Sequence, residues 1–306
     1  MSQPRVSVVI PTYNCAALLP AAVRSAYAQT LPPYEVVVVD DGSTDDTPAV
    51  LESLRAALPS SFVTDRKPNG GEASSRNRGV ALAQGDYVAF LDQDDLWARD
   101  KLERQIALML ADPGLGLTFS AYTRVSGETR TLVRQEGWTE DADAALLRLM
   151  DGCCVTSSTV VVRRGVFDTV GPFDESMWLG NDWDMWVRIA ASGQRFGYVP
   201  EPLMEYLWHA GNMSRDEFKI STAALRIFEK LFRSDTLSPA VRRVERRCLS
   251  RWHMIHALRC LDAGDRPAGR RHFLAAARLR PAAMRPGWVV AYLRAGAPMT
   301  TTRRRE

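Results

Sequence analysis

Cysteine is scarce in this chain of 306 residues. The five present, at 15, 153, 154, 248 and 260, show neither metal-ligand spacing nor a regular disulfide framework. Their odd number fits reduced thiols and points to a cytoplasmic compartment. No run reaches the roughly 18 uninterrupted apolar residues of a membrane span. The opening Met-Ser-Gln-Pro-Arg leads straight into a strand, with no signal-peptide core. Charge of one sign is also lacking: 39 Lys and Arg stand against 36 Asp and Glu, which excludes a polyanion-binding role for the whole molecule and with it nucleic acid as a partner. G-x-G-x-x-G is missing after the first strand, which excludes a dinucleotide oxidoreductase. A sugar nucleotidyltransferase would carry a Gly-rich basic loop there, and the chain has Pro11-Thr-Tyr-Asn-Cys15 instead.

What is present is an ordinary globular composition, 46% hydrophobic and 25% charged, with length for one large domain and a smaller appendage. Residues 5–10 read as a buried strand, 16–29 as a helix with apolar positions three and four apart, and 34–39 as a second buried strand. A helix to Leu58, a short strand at 61–64, a helix over 72–83 and a strand over 86–91 follow. This alternation predicts a Rossmann-like parallel sheet. Further on, the pattern predicts a helix at 98–111, a strand at 115–123, a polar stretch to 138, a helix at 141–150 and a strand at 155–163. A helix starting near Trp183 and short strands at 195–199 and 203–208 come next. Beyond Asp216 only helical windows appear, at 216–234, 239–263, 267–279 and 286–295. In the second of them Val241, Val244, Cys248, Trp252 and Ile255 form a stripe opposite Arg242, Arg243, Arg246, Arg247 and Arg251.

The most informative residues are Asp92-Gln93-Asp94-Asp95, directly after the apolar run ending at Leu91. Ligands of open α/β sheets bind where strands end at their carboxyl edge, and carboxylates gathered there repel one another unless a cation joins them. Oxygen-only ligands suit Mg²⁺ or Mn²⁺, completed by waters and substrate phosphates, so the expected ligand is a metal-bound diphosphate. The plainer alternative is an Asp-rich turn that caps the next helix.

Five blocks extend this reading: Val6-Ser-Val-Val-Ile-Pro-Thr-Tyr-Asn14, Val39-Asp-Asp-Gly-Ser-Thr-Asp-Asp-Thr47, Asn69-Gly-Gly-Glu-Ala-Ser-Ser-Arg-Asn-Arg-Gly79, Gly85-Asp-Tyr-Val-Ala-Phe-Leu-Asp-Gln-Asp-Asp95 and Asn181-Asp-Trp-Asp-Met-Trp-Val-Arg188. Together they closely resemble glycosyltransferase family 2, the inverting nucleotide-sugar-dependent enzymes of GT-A fold, over roughly residues 5–210. The resemblance implies an α/β fold with a GT-A, Rossmann-like, mostly parallel central sheet flanked by helices and an α-helical C-terminal extension. The expected division is a catalytic domain over 1–215, with a nucleotide-sugar half at about 1–96 and an acceptor half at about 97–215, followed by a helical region over 216–306.

The implied reaction moves a sugar from a nucleoside-diphosphate sugar, a UDP-sugar being favoured, to a hydroxyl of a glycan or lipid-linked acceptor in polysaccharide, O-antigen or other cell-surface glycan synthesis. The family pattern places Pro11, Thr12, Tyr13, Asp40 and Asp41 around the base, Asp92 near the ribose and Arg76 toward the diphosphate. Asp94, the second acid of the D-x-D motif, is implied as the ligand of Mg²⁺ or Mn²⁺. Asp182 is implied as the base that deprotonates the acceptor, with Asn181 where Glu is commoner. His209 resembles a late His that reaches the diphosphate or metal, and Trp178 is a ring against which a sugar or lipid-linked acceptor can stack.

Each assignment has a structural counterpart: turn formation for Asp40 and Asp41, a solvated helix face for Arg76, an N-cap for Asp182, core packing for Trp183 and Trp186. Asp184 is the comparison acid one step along the helix. A catalytically degenerate scaffold and a sugar nucleotidyltransferase are the competing functions. The basic C-terminal helices, with the terminal Thr302-Arg-Arg-Arg-Glu306, suggest peripheral contact at the inner face of a membrane, against a solvated face as the alternative. His253 and His256 share a helix face without a third ligand.

Overall fold

The structure is a computed structural model, and it describes residues 3–209, 212 and 215–283. The expected helix at 286–295 and the terminal basic run lie outside the described residues. The chain folds as two compact units, Met1–Asn212 and Met213–Glu306.

The first unit is built on one sheet. Strands β1 (Val6–Thr12) and β2 (Glu35–Asp40) are buried at every position, as valine-rich parallel strands must be when covered on both faces. They pair with β3 (Phe62–Arg66) and β4 (Tyr87–Phe90) in the parallel order β3-β2-β1-β4. Helices α1 (Leu19–Tyr27), α2 (Thr47–Ala57) and α3 (Glu72–Leu82) make the crossovers. In α1 the residues Leu19, Ala22, Val23 and Ala26 fall on one stripe and are fully buried. This helix begins three residues later than expected, because the backbone N–H groups of Asn14, Cys15 and Ala16 bond to Ser43, Thr47 and Asp45. The side chains of the second loop thus hold the first.

The second half of the sheet is mixed. After β5 (Leu96–Trp97) and α4 (Lys101–Ala111), strand β6 (Leu115–Ser126) pairs antiparallel with β7 (Thr129–Val133) and β8 (Val161–Arg163), and parallel with β9 (Arg195–Leu207). The complete path is β3-β2-β1-β4-β8-β6-β9-β5. Helices α5 (Ala142–Asp151), α6 (Val166–Val170) and α7 (Asn181–Ala191) complete this half.

Three details depart from the sequence reading. The stretch expected to be only polar contains β7, a hairpin strand whose residues are almost all exposed, so it carries no apolar alternation to reveal it. The two strands expected at 195–199 and 203–208 are one strand, which passes Pro200 and Pro202 with register shifts opposite Ser120 and Ala121. The strand expected over 155–163 is a 3₁₀ turn, Ser157–Thr159, followed by the shorter β8.

The second unit is helical. Its helices are α8 (Glu217–Leu231), α9 (Pro239–Asp262) and α10 (Arg266–Leu279), each started by a side-chain cap, from Asp216, Ser238 and Asp265. The expected stripe holds: Val241, Cys248 and Trp252 are buried while Arg243, Arg246, Arg247 and Arg251 are on the outer side. Arg242 is drawn back to the carbonyls of Phe232 and Ser234.

Candidate active site

The carboxyl ends of β1, β2 and β4 bring the first, second and fourth blocks together. Gln93, inside the acidic tetrad, is the tie. Its Oε1 accepts from Thr12 Oγ1 at 2.7 Å and from the Tyr13 backbone N–H at 2.8 Å, which fixes the first loop against the acidic loop. Asn14, in the left-handed region at φ 47°, accepts the Thr44 N–H at 2.7 Å. Pro11 and Thr12 are buried within β1, and Tyr13 presents an exposed ring above them. A base or sugar can rest on such a ring.

Asp40 and Asp41 are both buried and differ in what they hold. Asp40 Oδ1 accepts the Ser43 N–H at 2.9 Å and its Oδ2 lies 3.4 Å from Arg66, so it closes the turn after β2. Asp41 reaches into the next loop: it accepts from Lys67 Nζ, from the Gly70 N–H at 2.9 Å and from the Gly71 N–H at 2.8 Å. Gly71 adopts φ 87°, and the Trp178 indole, two-thirds exposed, lies over it. Trp178 therefore covers the loop that Asp41 pins.

Arg76 is not solvated. It is 2% exposed and binds three partners: Glu72 Oε1 at 2.8 Å, Asp92 Oδ1 at 2.9 Å and Asn181 Oδ1 at 2.6 Å. Burial alone would lower its pKa; the surrounding charges of Glu72, Asp92 and Asp182 outweigh that and raise it. Its neighbour Asn77 faces the other way and pins the segment at Phe173 and Glu175.

The acids of the tetrad are distributed by direction. Asp92 receives Arg76 and anchors its own N–H on Ser158 Oγ at 2.9 Å. Asp94 Oδ2 meets His209 Nε2 at 2.9 Å. Burial, then the charge of Asp92, pushes the Asp94 carboxyl above the usual range. Asp95 turns inward, fully buried, and accepts the Leu207 N–H at 3.3 Å. Burial and the charges of Asp92 and Asp94 hold its carboxyl well above the ordinary value. Asp92 is met by Arg76 and Asp94 by His209, and the crowding of the three carboxyls is what a cation would relieve further.

Asp182 stands on the first turn of α7, but it is not the cap. Gly180, at φ 75°, occupies that position, which corrects the N-cap alternative. Asp182 Oδ1 accepts the Trp183 N–H at 2.8 Å and Oδ2 accepts from Ser157 Oγ at 3.2 Å. Burial raises its pKa, and the charge of Arg76 partly offsets the rise. Asp184 is buried against Arg188 at 2.7 Å and takes a structural role. Trp183 and Trp186 are core residues at 2% and 0% exposure, which removes them as stacking surfaces. Ser157 and Ser158, in a segment expected to be a plain strand, are the polar residues missed in the sequence. A pair of serines inside an apolar run is the signal that could have found them.

Among the described residues no group of three or more His, Cys, Asp or Glu side chains forms a closed metal cage. The donors present still fit a hard divalent ion. Such ions are bound by one or two carboxylates and completed by substrate phosphates and water, and Asp94 is a carboxylate whose charge is penalised by its neighbour.

A family model described as glycosyl transferase family 2 matches residues 7–171. The chain belongs to this family. As a glycosyltransferase it is 29% identical to the putative teichuronic acid biosynthesis glycosyltransferase TuaG of Bacillus subtilis, over 76% of this chain and 90% of that one. It is 30% identical to the Escherichia coli UDP-Glc:alpha-D-GlcNAc-diphosphoundecaprenol beta-1,3-glucosyltransferase WfaP, over 70% of this chain and 81% of the relative. An uncharacterized glycosyltransferase of Nostoc, alr2836, is 33% identical over 57% of this chain, which spans 55% of that relative. Relatives of this glycosyltransferase therefore include enzymes of cell-surface glycan synthesis. In fold it is similar to Staphylococcus aureus TarS 1–349 in complex with UDP-GlcNAc, at a TM-score of 0.65, 20% identity and 90% coverage of both chains. It is also similar to the mannosyltransferase PcManGT of Pyrobaculum calidifontis in complex with GDP-Man and Mn²⁺, at a TM-score of 0.63 and 21% identity, covering 96% of this chain and 80% of that one.

Proposed function

We propose that this glycosyltransferase is a metal-dependent, inverting enzyme that moves a sugar from a UDP-sugar to a hydroxyl of a lipid-linked glycan acceptor during cell-surface polysaccharide synthesis at the inner face of the membrane. The observation that carries this reading is the Asp92–Arg76–Asn181 linkage. It fixes the acidic loop after β4 to the start of α7, so that the donor-side acids and Asp182 belong to one rigid site.

In this reading Tyr13 and the loops held by Gln93 and Asp41 receive the nucleoside, and Asp92 receives the ribose. Asp94, with His209 beside it, would hold Mg²⁺ or Mn²⁺, which supplies charge stabilisation for the departing diphosphate. Asp182 accepts the acceptor's hydroxyl proton as the oxygen attacks the anomeric carbon and the bond to the diphosphate breaks on the opposite side. Its raised pKa suits that task, because a base is most effective when its pKa approaches the working pH. Ser157 orients one carboxylate oxygen and the Trp183 N–H the other. UDP is favoured because the substrate in the name of WfaP is a UDP-sugar and the matching TarS structure holds one.

Thermal stabilisation by a panel of UDP-, GDP- and dTDP-sugars, each with and without Mn²⁺, tests the reading. A metal-dependent rise in Tm with one or more UDP-sugars is expected. No metal-dependent rise with any of them would remove it.

A further inference from the structure

The second unit carries a cleft of about 430 Å³ between α9 and the end of α10. It is lined by Arg243, Arg246, Arg247 and Arg280 together with the apolar Val244 and Leu279. Three of the arginines lie at spacings of three and four on α9, so one helix face delivers them to one place. Among the described residues none of these four has a carboxylate partner, whereas Arg242 bonds to two carbonyls and Arg259 pairs with Glu217 and Asp262. The imbalance is local. Residues 239–283 hold eleven arginines against three carboxylates, while the rest of the chain is net acidic. Four like charges around one hollow repel each other until an anion enters, and guanidinium groups pair with phosphate oxygens in a planar fork.

We propose that this cleft binds the phosphate headgroup of an anionic phospholipid and so holds the enzyme on a membrane surface. Its volume falls in the range of small-ligand sites. A lining that combines apolar and cationic side chains matches the junction of headgroup and acyl chain better than it matches a free phosphate, which has no apolar part. A nucleic acid would seek exposed rings on which bases stack, and the cleft lining has none. The inference rests on the reading that the acceptor is membrane-borne, and it assigns the membrane contact to one site rather than to a diffuse basic face.

The test is sedimentation of the full chain with vesicles of phosphatidylcholine alone or with a third phosphatidylglycerol. Wild type is compared with Arg243→Gln/Arg247→Gln/Arg280→Gln and with Arg266→Gln/Arg270→Gln/Arg271→Gln, which loses the same charge from α10. At about fivefold per arginine near an anionic surface, the cleft variant should partition roughly a hundredfold more weakly. The α10 variant should stay within a few-fold of wild type, and inorganic phosphate should release no more protein than sodium chloride at equal ionic strength. Equal losses in both variants, no preference of wild type for anionic vesicles, or specific release by inorganic phosphate would each overturn the proposal. Hydrolysis of UDP-sugar in the absence of vesicles separates this from the catalytic reading: it should be equal in wild type and cleft variant, and its absence from both would count against the transferase reading alone.

Discussion

Arg76 Nη1 lies 2.6 Å from Asn181 Oδ1 although 105 residues separate them in the chain. The same guanidinium binds Asp92 and Glu72, so one buried cation joins α3, the acidic loop and α7. Its removal would leave Glu72 and Asp92 facing each other without compensation. The Glu72 carboxyl, already pushed up to about 7 by burial and by Asp92 and Asp182 against the charge of Arg76, would take a proton.

Arg76→Ala is therefore expected to cost about 3–5 kcal/mol of stability, the scale for breaking a buried ion pair. Arg76→Lys should recover only part of this, because one ammonium cannot reproduce the fork that reaches three partners. Urea denaturation of both variants checks the order. Equal stability of wild type and Arg76→Ala would show that the guanidinium does not hold these elements together.

Trp178 is two-thirds exposed, beside the Gly71 loop. Trp178→Ala should change stability by no more than about 0.5 kcal/mol, as exposed substitutions do. Loss of one stacking surface should instead raise the acceptor KM by roughly tenfold, equivalent to about 1.4 kcal/mol, with little change in kcat. Steady-state kinetics with donor held saturating separates this from a donor-side effect, which would appear in the donor KM.

Three of the four histidines meet in the second unit. His253 Nδ1 is 3.0 Å from His272 Nδ1, and His256 packs edge-on against His272 while bonding to Ser221. Burial, then the neighbouring His272, lowers the pKa of His253 and of His256 to about 4. Both are neutral when folded and would take protons near pH 6.5 when unfolded, so the folded state binds fewer protons in acid. The contribution of these two histidines to stability is complete above about pH 6.5 and is lost as the pH drops toward 4, by on the order of 2 kcal/mol per histidine. The raised carboxyls of Glu72, Asp94, Asp95 and Asp182 contribute with the opposite sign, so the decline is read as the difference between wild type and His253→Gln/His256→Gln in denaturation at pH 7.5 and pH 5. Wild type should lose more stability on acidification than this variant, and an equal pH dependence in the two would contradict the arrangement.

The parallel half of the fold was legible because β1, β2 and β4 are buried on both faces and their apolar runs stop at acids. The family blocks likewise carry Asp41, Asp92, Asp94 and Asp182, the acids to which the proposed function gives roles. Long-range pairing was not legible. The local Glu72 gives Arg76 only an ordinary i,i+4 pair, and nothing nearby says that it is buried, because its other two partners come from positions 92 and 181. Gln93 reads as a spacer between aspartates, and only the fold shows that its amide joins two loops. Ser157 and Ser158 were hidden for a similar reason: a strand and a 3₁₀ turn share the same short apolar context. The cap was the alternative to the base for Asp182 because Asp so often is one, and the left-handed Gly180 before the helix takes that position.

The proposed chemistry divides labour between Asp94 and Asp182, and one paired measurement addresses that division. Calorimetric binding of UDP with Mn²⁺ and the rate of sugar transfer are measured on Asp94→Ala and Asp182→Asn, both soluble and folded by circular dichroism. Asp94→Ala is expected to lose metal-dependent UDP binding and transfer together. Asp182→Asn is expected to bind UDP and Mn²⁺ within about twofold of wild type while transfer falls by at least about 10²-fold, the lower end of what a positioned base contributes. Transfer by Asp182→Asn at the wild-type rate, or metal-dependent UDP binding by Asp94→Ala at wild-type affinity, would contradict it.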